Sequence, residues 1–103
     1  MQFVVIAHDH RTEGTLERRT AVRPEHLARV DQATDDGTLV FAVALLDDDE
    51  RMIGSVMVVD LPSRDDVERW LDEEPYKVHD IWETIDITRG RVGPRFVGLA
   101  SPS

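Results

Sequence analysis

"TLVFAVALLDDDERMIGSVMVVD", residues 38–60, decides the fold. Two β-rich runs, Thr38 to Leu46 and Met52 to Asp60, flank an acidic connection, Asp47 to Arg51. Branched and aromatic runs separated by a short polar break read as an antiparallel hairpin. Their near-continuous apolar character predicts a sheet covered on both faces. The connection lacks the alternating acidic pattern and the glycine of a calcium loop, so it reads as a solvated hairpin tip.

Upstream, Gly37 is the usual residue for a left-handed helix stop. In "VRPEHLARV", residues 22–30, Pro24 suits a first helical position and Arg23 is biased away from helical dihedrals, which sets the helix from Pro24 to about Asp36. At about 100° per residue, His26, Val30 and Ala33 fall within roughly 60° of one another, flanked by Leu27. His26 therefore rides on the apolar face. Before it, His8 to Thr20 is polar and reads as an exposed connection, and "FVVIA", residues 3–7, reads as a buried first strand.

Downstream, Ser63 and Asp66 form a capping-box pattern, and Val67, Trp70 and Leu71 supply a helical stripe that Pro75 ends. "IWETIDI", residues 81–87, reads as the last main strand, with Ile81, Ile85 and Ile87 on one face. "RFVGL", residues 95–99, reads as a short edge strand, and residues 100–103 as a frayed tail after a single domain spanning 1–99. The order β-α-β-β-α-β is the split βαβ pattern of an α+β, ferredoxin-like fold, an antiparallel sheet with two helices on one face. The other face of so apolar a sheet needs a cover, and a second copy packing sheet to sheet, a homodimer, supplies one.

A chain of 103 residues with 41% hydrophobic and 32% charged residues suits one globular domain. Its formal net charge of −9 repels phosphate backbones and anionic headgroups, which argues against nucleic acid and membrane partners. The absence of cysteine excludes disulfides, thiolate metal sites and a cysteine nucleophile. "MQFVVIAHDH" resembles neither a signal peptide nor a membrane span, so the expected location is cytoplasmic. No G-x-G-x-x-G, P-loop or G-x-S-x-G occurs, so nucleotide binding and serine hydrolysis lack support.

Chemistry can then sit at few places. His26 can serve as a general acid or base, because imidazole ionises near neutral pH; the plainer alternative is a core-edge histidine bonded to backbone. In "EEPYK", residues 73–77, Glu74 can orient an imidazole or move a proton itself, with Tyr76 beside it; the plainer alternative is a solvated helix end. In "HDH", residues 8–10, His8 and His10 share a side if the strand continues. Two ligands are too few for a metal, however, and a polar strand end is the expectation.

In order and spacing, "VRPEHLARV", "DDGTLV", "GSVMVVD" and "DEEPYKVHDIWETIDI" resemble the YCII-related (YciI-like) family, from the first strand to about Ile87. The resemblance implies a ferredoxin-like fold that dimerises through its sheet as a dimeric α+β barrel. It maps the family's histidine onto His26, its arginine onto Arg23, and its acid-Pro-aromatic motif onto Glu74, Pro75 and Tyr76. It also implies a histidine–acid dyad, on a fold similar to muconolactone isomerase and to a branch that eliminates chloride from a chlorinated hydroxyhydroquinone. Glu74 stands where an aspartate is usual, and "AVALL", residues 42–46, where relatives carry Gly-Pro.

The resulting expectation is a small-molecule enzyme acting by isomerisation or elimination on a small cyclic or aromatic substrate. His26 moves a proton, Glu74 or Asp9 orients it, and Arg23, Tyr76 and His8 contact the substrate; no cofactor or metal is called for. The rival expectation is a non-catalytic dimeric module that binds a small ligand unchanged.

Overall fold

A computed structural model describes residues 1–99; the expected tail at 100–103 lies outside the described residues. The chain forms β1 (Gln2–Asp9), α1 (Thr15–Asp35), β2 (Leu39–Leu46), β3 (Met52–Asp60), α2 (Arg64–Asp72), α3 (Pro75–Val78) and β4 (Trp82–Gly90). The four strands make one antiparallel sheet in the order β2-β3-β1-β4. This is the expected ferredoxin-like architecture, with the short α3 added.

Strand alternation divides the sheet. Phe3, Val5 and Ala7 pair with Val59, Met57 and Ser55 of β3, and all of these are buried. They form one core with Val22 and Ala33 of α1 and Val67 and Leu71 of α2, so the helices share this face. Gly54 is required where β3 passes β1, because a Cβ there would stand 2.4 Å from the Ala7 carbonyl oxygen. Gly37, at φ 80°, stops α1 as expected. Ser63 caps α2 by accepting from the Asp66 amide.

Two expectations are corrected. First, α1 begins at Thr15, nine residues before Pro24, and the proline lies inside the helix. An interior proline removes one helical hydrogen bond and costs about 3 kcal/mol. The early turns persist because Thr15 and Arg19 are buried against the sheet, so part of the supposed exposed connection belongs to the core. Second, Pro94–Leu99 form a 3-10 turn and not an edge strand. Pro94 brings no N–H to a ladder, and the Phe96 amide donates locally to the Gly93 carbonyl. Within the single chain the sheet is covered on one face only, and the other is the open face that the split βαβ pattern predicts. β2 is an edge strand, and its Phe41 and Val43 are 52% and 43% exposed. With Val4, Ile6, Val56 and Val58 they make an apolar band on the open face, ending in polar Thr84, Asp86 and Thr88 of β4. Among the described residues no helix is long and apolar enough to cross a membrane.

Candidate active site

Arg19, Arg23, His26 and Val30 follow one another on α1 at spacings of four, three and four residues, which keeps them on one helix face. That face and the floor of β2 and β3 enclose a cavity of about 220 Å³, lined by all four residues together with Tyr76, Ala42 and Met57. The small side chains at Ala42 and Ala44 leave the space open. A wider hollow of about 300 Å³ at the start of α1, between Asp9, Gly14 and Arg51, does not include His26.

His26 Nδ1 lies 2.5 Å from Glu74 Oε1. Glu74 is 1% exposed and is delivered by the turn between α2 and α3, where it caps α3 and its Oε1 also accepts from the Tyr76 amide at 3.4 Å. Proline at the next position suits the first turn of a helix and fixes the approach. The second oxygen, Oε2, accepts from Arg29 Nη1 at 3.0 Å. An ionised carboxylate only accepts, so Nδ1 is the donor in this contact, and in a neutral ring that leaves the lone pair on Nε2. Nε2 has no hydrogen-bond partner among the described residues, and the ring borders the cavity.

The Tyr76 ring stacks on His26, centroids 4.2 Å apart, and the Arg19 guanidinium lies 4.3 Å from the same centroid. Arg19 and His26 are two turns apart on α1, about 10 Å, which is the gap one sandwiched ring fills. Arg19 Nη1 donates to both oxygens of Asp9, at 2.7 and 2.9 Å, and Nη2 donates to the Gly54 carbonyl and Ser55 Oγ. Burial pushes the Asp9 carboxyl above its ordinary range, with Arg19 pulling it back. Burial also pushes the Tyr76 phenol up, against Arg19 and Arg23, so near neutral pH it is an O–H donor.

The fold thus brings His26, Tyr76 and Arg23 to one cavity, with Glu74 bonded to His26 from outside the lining. Asp9 is engaged by Arg19 and makes no hydrogen bond to His26. His8 pairs with Gly54 and Thr84 on the open face of the sheet, and is exposed there. His10 bonds Asp80, and His79 bonds Glu25. Among the described residues no three His, Asp or Glu side chains are grouped to hold a metal ion. Arg19, Arg29 and Ser55 were not foreseen as part of the site.

Residues 1–91 match the YCII-related domain. The chain belongs to the YCII-related family. Among YCII-related proteins, the Protein YciI of Escherichia coli O6:H1 (strain CFT073) and that of Shigella flexneri are each 29% identical to it over 93 residues, covering 84% of this chain and 93% of theirs. Its fold is that of 5-chloro-2-hydroxyhydroquinone dehydrochlorinase from Burkholderia phenoliruptrix AC1100, solved in complex with 2,5-dihydroxybenzoquinone. That likeness has a TM-score of 0.78 at 21% identity, covering 92% of this chain and 98% of that one. The YCII-related chain therefore has a ferredoxin-like α+β fold, shared with that dehydrochlorinase.

Proposed function

We propose that this protein is a small-molecule enzyme in which His26 transfers a proton during isomerisation or elimination on a small cyclic or aromatic substrate. The observation that carries the proposal is the His26–Glu74 bond, which occupies Nδ1 and leaves Nε2 without a partner among the described residues on a ring that borders a partly apolar cavity. Nε2 takes a proton from a carbon beside a carbonyl, and the electron pair moves onto the oxygen. Glu74 stabilises the imidazolium so formed. Arg23, which has no hydrogen-bonding or ion-pair partner among the described residues, balances the enolate oxygen, and Tyr76 lines the wall as a donor. Return of the proton to a neighbouring carbon completes an isomerisation. Departure of a leaving group as its anion, with formation of a double bond, completes an elimination. A shared fold with a dehydrochlorinase makes elimination on a hydroxylated ring the first class to test. Asp9 contributes by anchoring Arg19 under the Tyr76 ring.

The enzyme works in the cytoplasm, for which a cysteine-free chain is suited, and as a homodimer joined through the open sheet face. The apolar band of Phe41, Val43, Val56 and Val58 supports that assembly. Phe41→Asp should turn the dimer into a folded monomer in light scattering; a monomeric parent protein would refute the assembly.

The chemistry is tested by screening chlorinated and hydroxylated hydroquinones and small lactones for chloride release or absorbance change. Turnover by the parent protein and none by folded His26→Ala is the expected result. Equal turnover by both would falsify the role of His26. A ligand that binds and is recovered unchanged after long incubation would instead identify a binding module.

A further inference from the structure

We infer that Arg29 is a positioning residue that holds the Glu74 carboxylate in the one orientation able to fix the His26 tautomer. The inference rests on the His26–Glu74 reading above and assigns a role to a side chain that does not line the cavity. Arg29 follows His26 by three residues on α1, on the side turned toward α2 and α3. Its Nη1 donates to Glu74 Oε2 at 3.0 Å, its Nη2 donates to the Trp70 carbonyl, and its guanidinium lies 4.3 Å from the Trp70 ring centroid. Three contacts fix one planar cation, so its orientation is set by α2 and not by the cavity.

Glu74 needs such a clamp. A glutamate has one more rotatable bond than an aspartate, and this carboxylate is almost wholly removed from water. With Oε2 occupied by Arg29, only Oε1 is left for the imidazole. Without the guanidinium, Oε2 becomes a buried unpaired charge. The cheapest responses are rotation of the carboxylate or uptake of a proton, and either loosens the bond to Nδ1. The other groups around His26 cannot replace Arg29: Arg19 is spent on Asp9, Gly54 and Ser55, Arg23 stands at the cavity, and Tyr76 offers Glu74 only its backbone amide.

The test reads the ring nitrogens of His26 by ¹⁵N NMR, which separates the two neutral tautomers without any substrate. The parent protein should show a predominantly Nδ1–H ring. Arg29→Met, which keeps the stem against Trp70, should give a mixture of tautomers, and Arg29→Lys should recover most of the parent pattern. Where a substrate is in hand, the Met variant should lose about tenfold in kcat with KM within about twofold. Arg29→Gln, which keeps an amide donor for the Trp70 carbonyl, replaces the Met variant if that chain does not fold. A folded Met or Gln variant with the parent pattern overturns the inference, and so does a Lys variant as scrambled as Met. Glu74→Leu, which removes the acceptor altogether, separates the two readings. If it too leaves the tautomer unchanged, the His26–Glu74 pair itself has failed; if it alone scrambles the ring, only Arg29 has.

Discussion

Two buried acid–base pairs flank the Tyr76 ring, Asp9 with Arg19 and Glu74 with His26, and they differ in what each has left to offer. In the first, both terminal nitrogens of the guanidinium are committed to Asp9, Gly54 and Ser55. In the second, only one ring nitrogen is committed, and the other has no partner among the described residues on a ring that borders the cavity. Burial and a hydrogen bond to a carboxylate are common to both, so neither marks a reactive group by itself; a free valence at a cavity does. The first pair ties β1, β3 and α1 together.

The contrast is sharpest in activity. His26→Ala should lower turnover by about 10²- to 10⁴-fold, as expected for loss of a general acid or base. Its cost in stability should be only about 1–3 kcal/mol, because Glu74 keeps Arg29 and the Tyr76 amide. Parallel kinetics and urea denaturation check both halves. Arg19→Met should show the reverse, a stability loss of about 3–5 kcal/mol from a carboxylate left buried without its cation. A loss below about 1 kcal/mol in denaturation would show that Asp9 finds other partners or stays protonated, and the division between anchor and reactive pair would fall.

The sequence exposes these two corners unequally. The β2–β3 hairpin, the Gly37 stop and the Ser63 cap are legible because each depends on residues within a few positions of one another. The start of α1 is not. Pro24 mimics a first helical position, and the residue that holds the earlier turns, Arg19, looks like one more surface charge until Asp9 and Ser55 arrive from β1 and β3. His26 and Glu74 are each visible as candidates, yet their meeting across 48 residues is a product of the fold. Arg29 leaves a weaker trace: it sits three residues from a histidine on an otherwise apolar stripe. That spacing is also what any solvated helix arginine shows, and only the Glu74 oxygen it meets tells the two apart. The open sheet face is legible only in part. A run of apolar residues reports that a strand avoids water, and does not say whether the cover comes from the same chain.

The smallest effect expected comes from a third imidazole–carboxylate contact, at the exposed end of β1. His10 Nε2 lies 3.1 Å from Asp80 and its Nδ1 3.4 Å from Glu83. The hydrogen bond to Asp80, aided by the charges of Asp80 and Glu83, raises the His10 ring above its ordinary value of 6.5. A cationic partner whose folded value is raised adds stability that is fully present below the unfolded value and is lost as pH rises through the folded one. The difference in Tm between the parent protein and His10→Gln should therefore be widest near about pH 5 and close by about pH 8 or 9. A gap that stays constant across that range would mean the ring acts by packing and not by charge. The change should be slight in either case, because water and salt screen the pair and the backbone link from the His10 amide to the Ile81 carbonyl does not titrate. Set beside His26, the same two chemical groups then give a surface contact that pH can release and a buried pair held from behind by an arginine.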